Sequence, residues 1–347
     1  AFTILQSDMM KYFTAIFTLL AVSTSIGAQS FTNVTPVSEV QASSVTAIAI
    51  DPENNKYVGT DIGLFVIDHE TGDAEILLRG DTVLALAWQT RTGIWAARTD
   101  NVLLQPNTDR RIELPGDSLT ISCIESLGGQ LWVGTNAGVF VVSAEKAKVI
   151  DHFTVDNSKL ESDRITAIYI DKSRIKWIGT ERGVARVVGE KWKVYEKDAQ
   201  ITALTGNAEG TWIASTEEMG LVDPLNRWRP TAVEDGLSIG EVRALAADKK
   251  GRIYIASDVF VQFDPYTDEA ITLDNSYAAE AGPAVALLCD QDDKVWIGTA
   301  DLGVLQMDME ATVDQPLVAT VNVEHPACSQ DKDGALRLRV GGGAPPY

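Results

Sequence analysis

Residues 165–188 read ITAIYIDKSRIKWIGTERGVARVV, and the spacing within this stretch decides how the rest of the chain is read. Its relatives start at Val45, Val83, Ile121, Ile201, Val242 and Val285, so seven copies occupy most of the chain. An aromatic residue anchors each copy: Tyr57, Trp95, Trp132, Trp177, Trp212, Tyr254 and Trp296. Successive anchors lie 38, 37, 45, 35, 42 and 42 residues apart, a period near 40. Within a copy the apolar positions alternate, as at Val45, Ala47 and Ala49 and again at Tyr57 and Gly59. That is the period of a strand and not of a helix.

Each copy holds a strand, a polar turn, a second strand carrying the aromatic, a short turn and a third strand such as residues 64–67. A more polar fourth strand follows in most copies, for example residues 75–78 or 191–195. Four short strands in about 40 residues make one blade of a propeller, whose closed ring protects sheet edges. The expected fold is therefore an all-β, seven-bladed β-propeller. The last copy ends near Asp308 without a fourth strand, whereas residues 31–34 precede the first copy with no blade of their own. This N-terminal strand is expected to complete blade seven. A solenoid of the same period would need polar end caps, and none is visible. The anchor aromatics are expected to pack between blades, and Gly59, Gly134, Gly179 and Gly298 to mark close packing or strand bulges.

Composition restricts the function. The chain has 347 residues with 49 acidic and 29 basic side chains, a net charge of −20. Such a surface repels polyanions, so nucleic acid is not an expected partner, while calcium or cationic ligands remain allowed. Cys123, Cys289 and Cys328 are too few for a disulfide framework or a cysteine zinc site. No cofactor is expected. Residues 10–28, with Lys11, an apolar run over 12–22 and small residues ending at Ala28, match an export signal. The expected domains are a leader and signal peptide over 1–28, the propeller over 29–312 and a further β module over 318–347. Secretion to the periplasm or cell surface is expected, with no membrane span in the mature chain.

The pattern D-x-x-x-x-(I/L/K)-W-I-G-T-x-x-G-(L/V), best at residues 171–184 and 290–304, resembles the two-component regulator propeller repeat. Glu234-Asp235-Gly236-Leu237 is similar to that family's turn into an inner strand. The resemblance covers roughly residues 31–310 and implies an extracytoplasmic sensing domain that recognises glycans. Ala97, Ser215 and Ser257 are read as standing where the repeat has threonine. From Val318 onward, Cys328, Asp333-Gly334 and the Gly-Gly-x-x-Pro-Pro-Tyr ending resemble the first half of an SprB-type adhesin repeat. A partial β-sandwich-like segment is therefore expected after the ring, in a longer exported protein, and the same resemblance implies type IX secretion.

A ligand would meet the loops entering each inner strand and those joining second to third strands. The second set supplies the candidate ligand-binding residues Asp61, Arg98, Asn136, Glu181, Arg182, Glu217, Asp258 and Asp301. Their chemistry suits hydroxyl-rich or cationic ligands, and a glycan or surface protein is the expected partner. The aspartates of residues 290–293 could bind calcium, although they lack the ligand spacing of a dedicated loop. His69 and His152 fall on the expected outer rim, away from the channel, as solvated surface groups. The function expected is non-enzymatic recognition or scaffolding. The alternative is a carboxylate-dependent lyase or hydrolase, for which Glu181, Glu217 and Asp258 are the acids to test.

Overall fold

The computed structural model describes residues 30–33, 44–231, 241–273, 282–308, 318–324 and 335–341. The leader, the segment 234–237, His325 and Cys328 lie outside the described residues. Among the described residues every regular element is a strand, and the strands form seven four-stranded sheets and one two-stranded hairpin.

Blade one runs Val45–Ile50, Lys56–Thr60, Gly63–Ile67 and Ala74–Arg79, each strand antiparallel to the next. Five further blades repeat this meander, with inner strands Val83–Gln89, Ile121–Leu127, Ile165–Ile170, Ile201–Asn207 and Ala244–Ala247. The seventh sheet contains Ala284–Cys289, Val295–Thr299 and Val304–Asp308, and its outer strand is Ser30–Asn33. The ring is thus a seven-bladed propeller closed by an N-terminal strand, as the unpaired copy predicts. Separately, Val318–Glu324 pairs with Ala335–Gly341 as an antiparallel hairpin.

Residues directly opposite each other in neighbouring strands share one sheet face. The anchor aromatics consequently face the following blade. Trp132 packs with Ile165 and Ile178 of blade four, Trp177 with Ile201 and Ile213 of blade five, and Trp212 with Ile253 and Ile255 of blade six. Trp296 of blade seven packs against Val45 and Val58 of blade one, so the last seam is built like the others. Six of the seven anchors are buried, and Tyr57 is partly exposed beside the Trp88 ring.

The glycine two residues after the anchor permits this contact. A Cβ on Gly298 would come within 2.5 Å of Val45 Cγ1, and one on Gly179 within 2.6 Å of Ile201 Cγ2. Blades two, five and six carry alanine at the same register, at Ala97, Ala214 and Ala256. This register corrects one sequence reading. Val83 lies opposite Arg98 as Val45 lies opposite Thr60, so Arg98, not Ala97, occupies the threonine position. Two successive alanines, Ala96 and Ala97, follow Trp95, and they leave the motif in blade two ambiguous by one residue in the sequence alone. Likewise Ala284, not Val285, begins the seventh inner strand, because it pairs with Thr299.

The recurring threonine closes the turn between second and third strands. Thr60, Thr135 and Thr180 each donate to a glycine carbonyl three residues on, at 2.8–3.0 Å, and accept from a backbone N–H within the turn. Thr299, Ser215 and Ser257 do the same with their own turns. These hydroxyls are buried, so they shape the loop and present nothing to a ligand.

The closing seam is held by charge as well as packing. Lys56 of blade one forms a buried ion pair with Asp290 of blade seven at 3.0 Å and lies 4.7 Å from the Trp296 ring. Asp290 also accepts from Trp296 Nε1 at 2.8 Å. Burial pushes the Asp290 carboxyl up, but hydrogen bonds from Trp296 and Lys56 outweigh it and hold the group below its ordinary value. Asn54 and Gln291 add hydrogen bonds across the same seam, and His69 lies 3.4 Å from Asp292. His69 is an exposed surface residue, as expected, at the rim of this closure. His152 lies on the outer strand Lys148–Phe153, stacked on Phe140 with Nε2 2.7 Å from the Ala137 carbonyl oxygen.

Two stability tests follow from this geometry. Lys56→Ala leaves Asp290 buried and unpaired and should cost about 3–5 kcal/mol in urea unfolding, whereas an unchanged midpoint would deny the pair a structural role. Gly298→Ala should cost about 1–3 kcal/mol by overpacking the same seam, and stability equal to wild type would show that Val45 yields freely.

Candidate functional site

The turn between second and third strands and the segment entering the inner strand meet at one end of every blade. Backbone bonds fix the pairing: Asp61 N–H donates to Ser44 O, Asn136 to Thr120 O, and Glu181 to Arg164 O. Those two loop sets therefore form one mouth of the ring, and the other hairpin turns lie at the opposite strand ends.

At this mouth most candidate residues bond locally, within their own blade. Asp61 accepts from Ser44 N–H at 3.1 Å, and Asn136 accepts from Thr120 N–H at 2.9 Å. Arg98 pairs with Asp81 at 3.2 Å and Asp100 at 3.0 Å. Glu181 pairs with Arg164 at 2.7 Å, and Asp258 with Arg243 at 3.1 Å. The same connection from turn to entry loop is thus made by a hydrogen bond in blades one and three and by an ion pair in blades two, four and six. Arg182 instead reaches Asp198, beyond the fourth strand, at 3.0 Å. The Glu217 N–H donates to Ser215 Oγ while its residue stays exposed, and the exposed Asp301 lies beside Gly282.

The three acids of the enzymatic alternative belong to different blades, and two of them are paired with arginines. Among the described residues no group of three or more His, Cys, Asp or Glu is placed to hold a metal ion. Asp290 directs its oxygens to Lys56, Trp296 and the backbone of its own turn, and the Asp293 carboxylate accepts from Lys249 N–H at 3.0 Å. Cys123 and Cys289 are free thiols on inner strands, and burial pushes the Cys123 thiol up to about 12. Neither is poised as a nucleophile.

Sequence reasoning passed over Glu125. It sits on the inner strand of blade three opposite Trp132, so it shares the face that blade four covers. Burial raises its carboxyl to about 7, opposed only by a hydrogen bond from the Ser126 backbone. The nearby Tyr169 hydroxyl is raised to about 12 by burial and by the charges of Asp171 and Glu125. The available signal was a single charge at a position where blades one and six carry Ala49 and Ala246.

Glu125 makes stability depend on pH in a defined sense. Below the ordinary carboxyl value of 4.5 the group is protonated in both folded and unfolded chains. As pH rises toward 7 the unfolded chain ionises first, so folding loses stability until the folded group ionises too. Glu125→Gln should therefore gain on wild type by roughly 2–3 kcal/mol between about pH 4 and about pH 8. A difference that stays flat across that range in chemical unfolding would refute the shifted carboxyl.

No protein-family model matches the chain, and no curated protein matches it. Solved structures do. The extracellular domain assigned to a hybrid two-component system of B. thetaiotaomicron superposes with a TM-score of 0.68 at 21% identity, over 88% of this chain and 45% of that one. Another, assigned to a one-component system of the same organism, gives 0.65 at 18% identity, over 82% and 40%. Virginiamycin B lyase from Staphylococcus aureus, in a catalytically inactive form with quinupristin, gives 0.66 at 10% identity, over 81% and 98%. The chain spans less than half the length of the two extracellular domains and nearly all of the lyase. At these identities the likeness shows the fold: a β-propeller shared by these extracellular domains and by a lyase.

Proposed function

We propose that the ring is an extracytoplasmic recognition domain that binds a glycan or surface protein at the mouth described above and performs no chemistry there. The observation that carries this reading is the contrast between scaffold and surface. A buried Thr or Ser closes the same turn in six blades, with Arg98 at that position in blade two, while the side chain that follows it changes from Asp61 to Asn136, Glu181 and Asp258. A rigid frame carrying varied polar loops is the usual arrangement of a binding surface. The paired guanidinium and carboxylate groups offer donors and acceptors side by side, which matches hydroxyl-rich ligands. The extracellular sensor domains that share the fold support the same compartment. The hairpin after the ring is read as the start of a second β module of adhesin type, in keeping with the sequence resemblance.

Glycan arrays and pull-downs from surface extracts with the purified chain test this reading. Binding should fall about tenfold or more when Arg98 and Glu181 are both changed to alanine, and should survive Glu145→Ala on the opposite face. Absence of binding, or binding indifferent to the mouth substitutions, would overturn it. Release of new reducing ends from a bound glycan would favour the enzymatic alternative.

A further inference from the structure

The seam between blades four and five differs from its sisters. On the face of each blade that looks back at its predecessor, the residue before the anchor covers the previous aromatic. Lys56 lies over Trp296 in this way, and Lys176 lies 5.2 Å from the Trp132 ring. Blades two and six use Ile94 and Ile253 there. In blade five the position is Thr211, and its cross-strand partner is Gly206, where the other blades carry a side chain. Gly206 makes room for the Tyr169 ring, whose hydroxyl would lie 2.5 Å from a Cβ there, so the short Thr211 is what leaves the Trp177 side uncovered. A cleft of about 230 Å3 opens between the blades, at the end of the ring away from the mouth.

The opposing wall is equally unusual. Trp177 lies between Tyr169 and Arg186 in the cross-strand row of blade four. The position of Arg186 is Val66 in blade one, Val141 in blade three and Leu221 in blade five. Its guanidinium carbon lies 5.7 Å from the Trp177 ring, its Nε is shut off from solvent with no hydrogen-bond partner, and among the described residues no carboxylate pairs with it. Trp177 Nε1 is unpartnered, as are the Trp132 and Trp212 nitrogens, whereas the Trp296 nitrogen donates to Asp290. Asp171, aligned with Asp290, uses Oδ1 to cap Ile175 N–H at 2.9 Å. Asp171 also lines the cleft, and among the described residues no Lys or Trp hydrogen bond like those to Asp290 is made to it. Asp223, the other acid of the lining, is neutralised by Arg227 at 2.8 Å and Arg229 at 2.9 Å.

We propose that this cleft is a second binding site, for a small hydroxylated carboxylate of about hexuronate size. Arg186 takes the carboxylate through its terminal nitrogens, since a stacked guanidinium with an open fork prefers a planar two-oxygen acceptor. Asp171 Oδ2 accepts a ligand hydroxyl, and the indole of Trp177 backs the guanidinium. The volume lies below the roughly 300–1,000 Å3 of pockets for drug-sized ligands, which limits the site to one sugar-sized unit. Arg186 places a charge where blades one, three and five carry Val or Leu and blades six and seven carry Gln, and its buried Nε has no hydrogen-bond partner. Its desolvation is uncompensated until an anion arrives.

Titration calorimetry and tryptophan fluorescence with galacturonate, glucuronate, their neutral parent hexoses and small amino acids test the site. A uronate should bind about tenfold or more tightly than its neutral parent, the discrimination of one charged hydrogen-bonded pair. Arg186→Met should remove that preference while leaving the melting temperature equal or higher, and Thr211→Ile, the residue of blades two and six, should abolish binding by filling the cleft. Arg98→Ala with Glu181→Ala at the mouth should leave uronate binding intact, which separates this site from the mouth reading. Equal binding of acid and neutral sugar, retained affinity in Arg186→Met, or no binding of any carboxylate at millimolar concentration would each overturn the proposal. Preference for amino acids over uronates would also refute the hydroxylated class.

Discussion

A ring of sheets is constrained by its last seam. Every blade buries an aromatic face only because a neighbour covers it, and the seventh blade has no neighbour except the first. The pair Lys56–Asp290, with the Trp296 ring beneath the ammonium, meets that requirement across 234 residues of chain. The strand Ser30–Asn33 meets it a second time, by joining the beginning of the ring to the sheet formed at its end. A buried ion pair adds little net stability when compared with apolar packing, but it tolerates few alternative partners. Here it joins the first blade to the last, with Lys56 and Asp290 3.0 Å apart.

The same economy of parts separates scaffold from surface. Glycines or alanines let the aromatic layers approach, and buried hydroxyls close the turns, so the frame repeats almost without change. Side chains at the mouth are released from structural duty in the core and yet are held in place by their entry loops. The exchange of a hydrogen bond for an ion pair at equivalent positions shows that geometry, not one residue type, is what the frame demands there. A surface built in this way can vary its chemistry without altering the fold.

Much of this was legible in the chain. Period-two alternation and seven anchors predict strands, blade number and the borrowed outer strand, because these follow from local pattern and from counting. The candidate residues at the mouth were located by the same counting, although their tethering partners were not. The register slipped by one at Ala97 and Val285, where runs of small or similar apolar residues blur the motif. Glu125 and Arg186 escaped notice because a single charge in an alternating strand is readable only when the covering face is known. His69 was placed correctly after a third strand, but its approach to Asp292 depends on a blade more than 200 residues away.

What the amino-acid sequence determined by itself is the repeating unit: which residues form strands, which alternate toward a neighbour and how many units there are. What only the tertiary structure decided is the identity of each facing pair, such as Thr211 before Trp177 or Lys56 before Trp296. Strand pattern is set by neighbours one or two residues away, where backbone geometry alone fixes side-chain direction. Apposition between sheets is set by closure of the whole ring, and no local pattern contains that information.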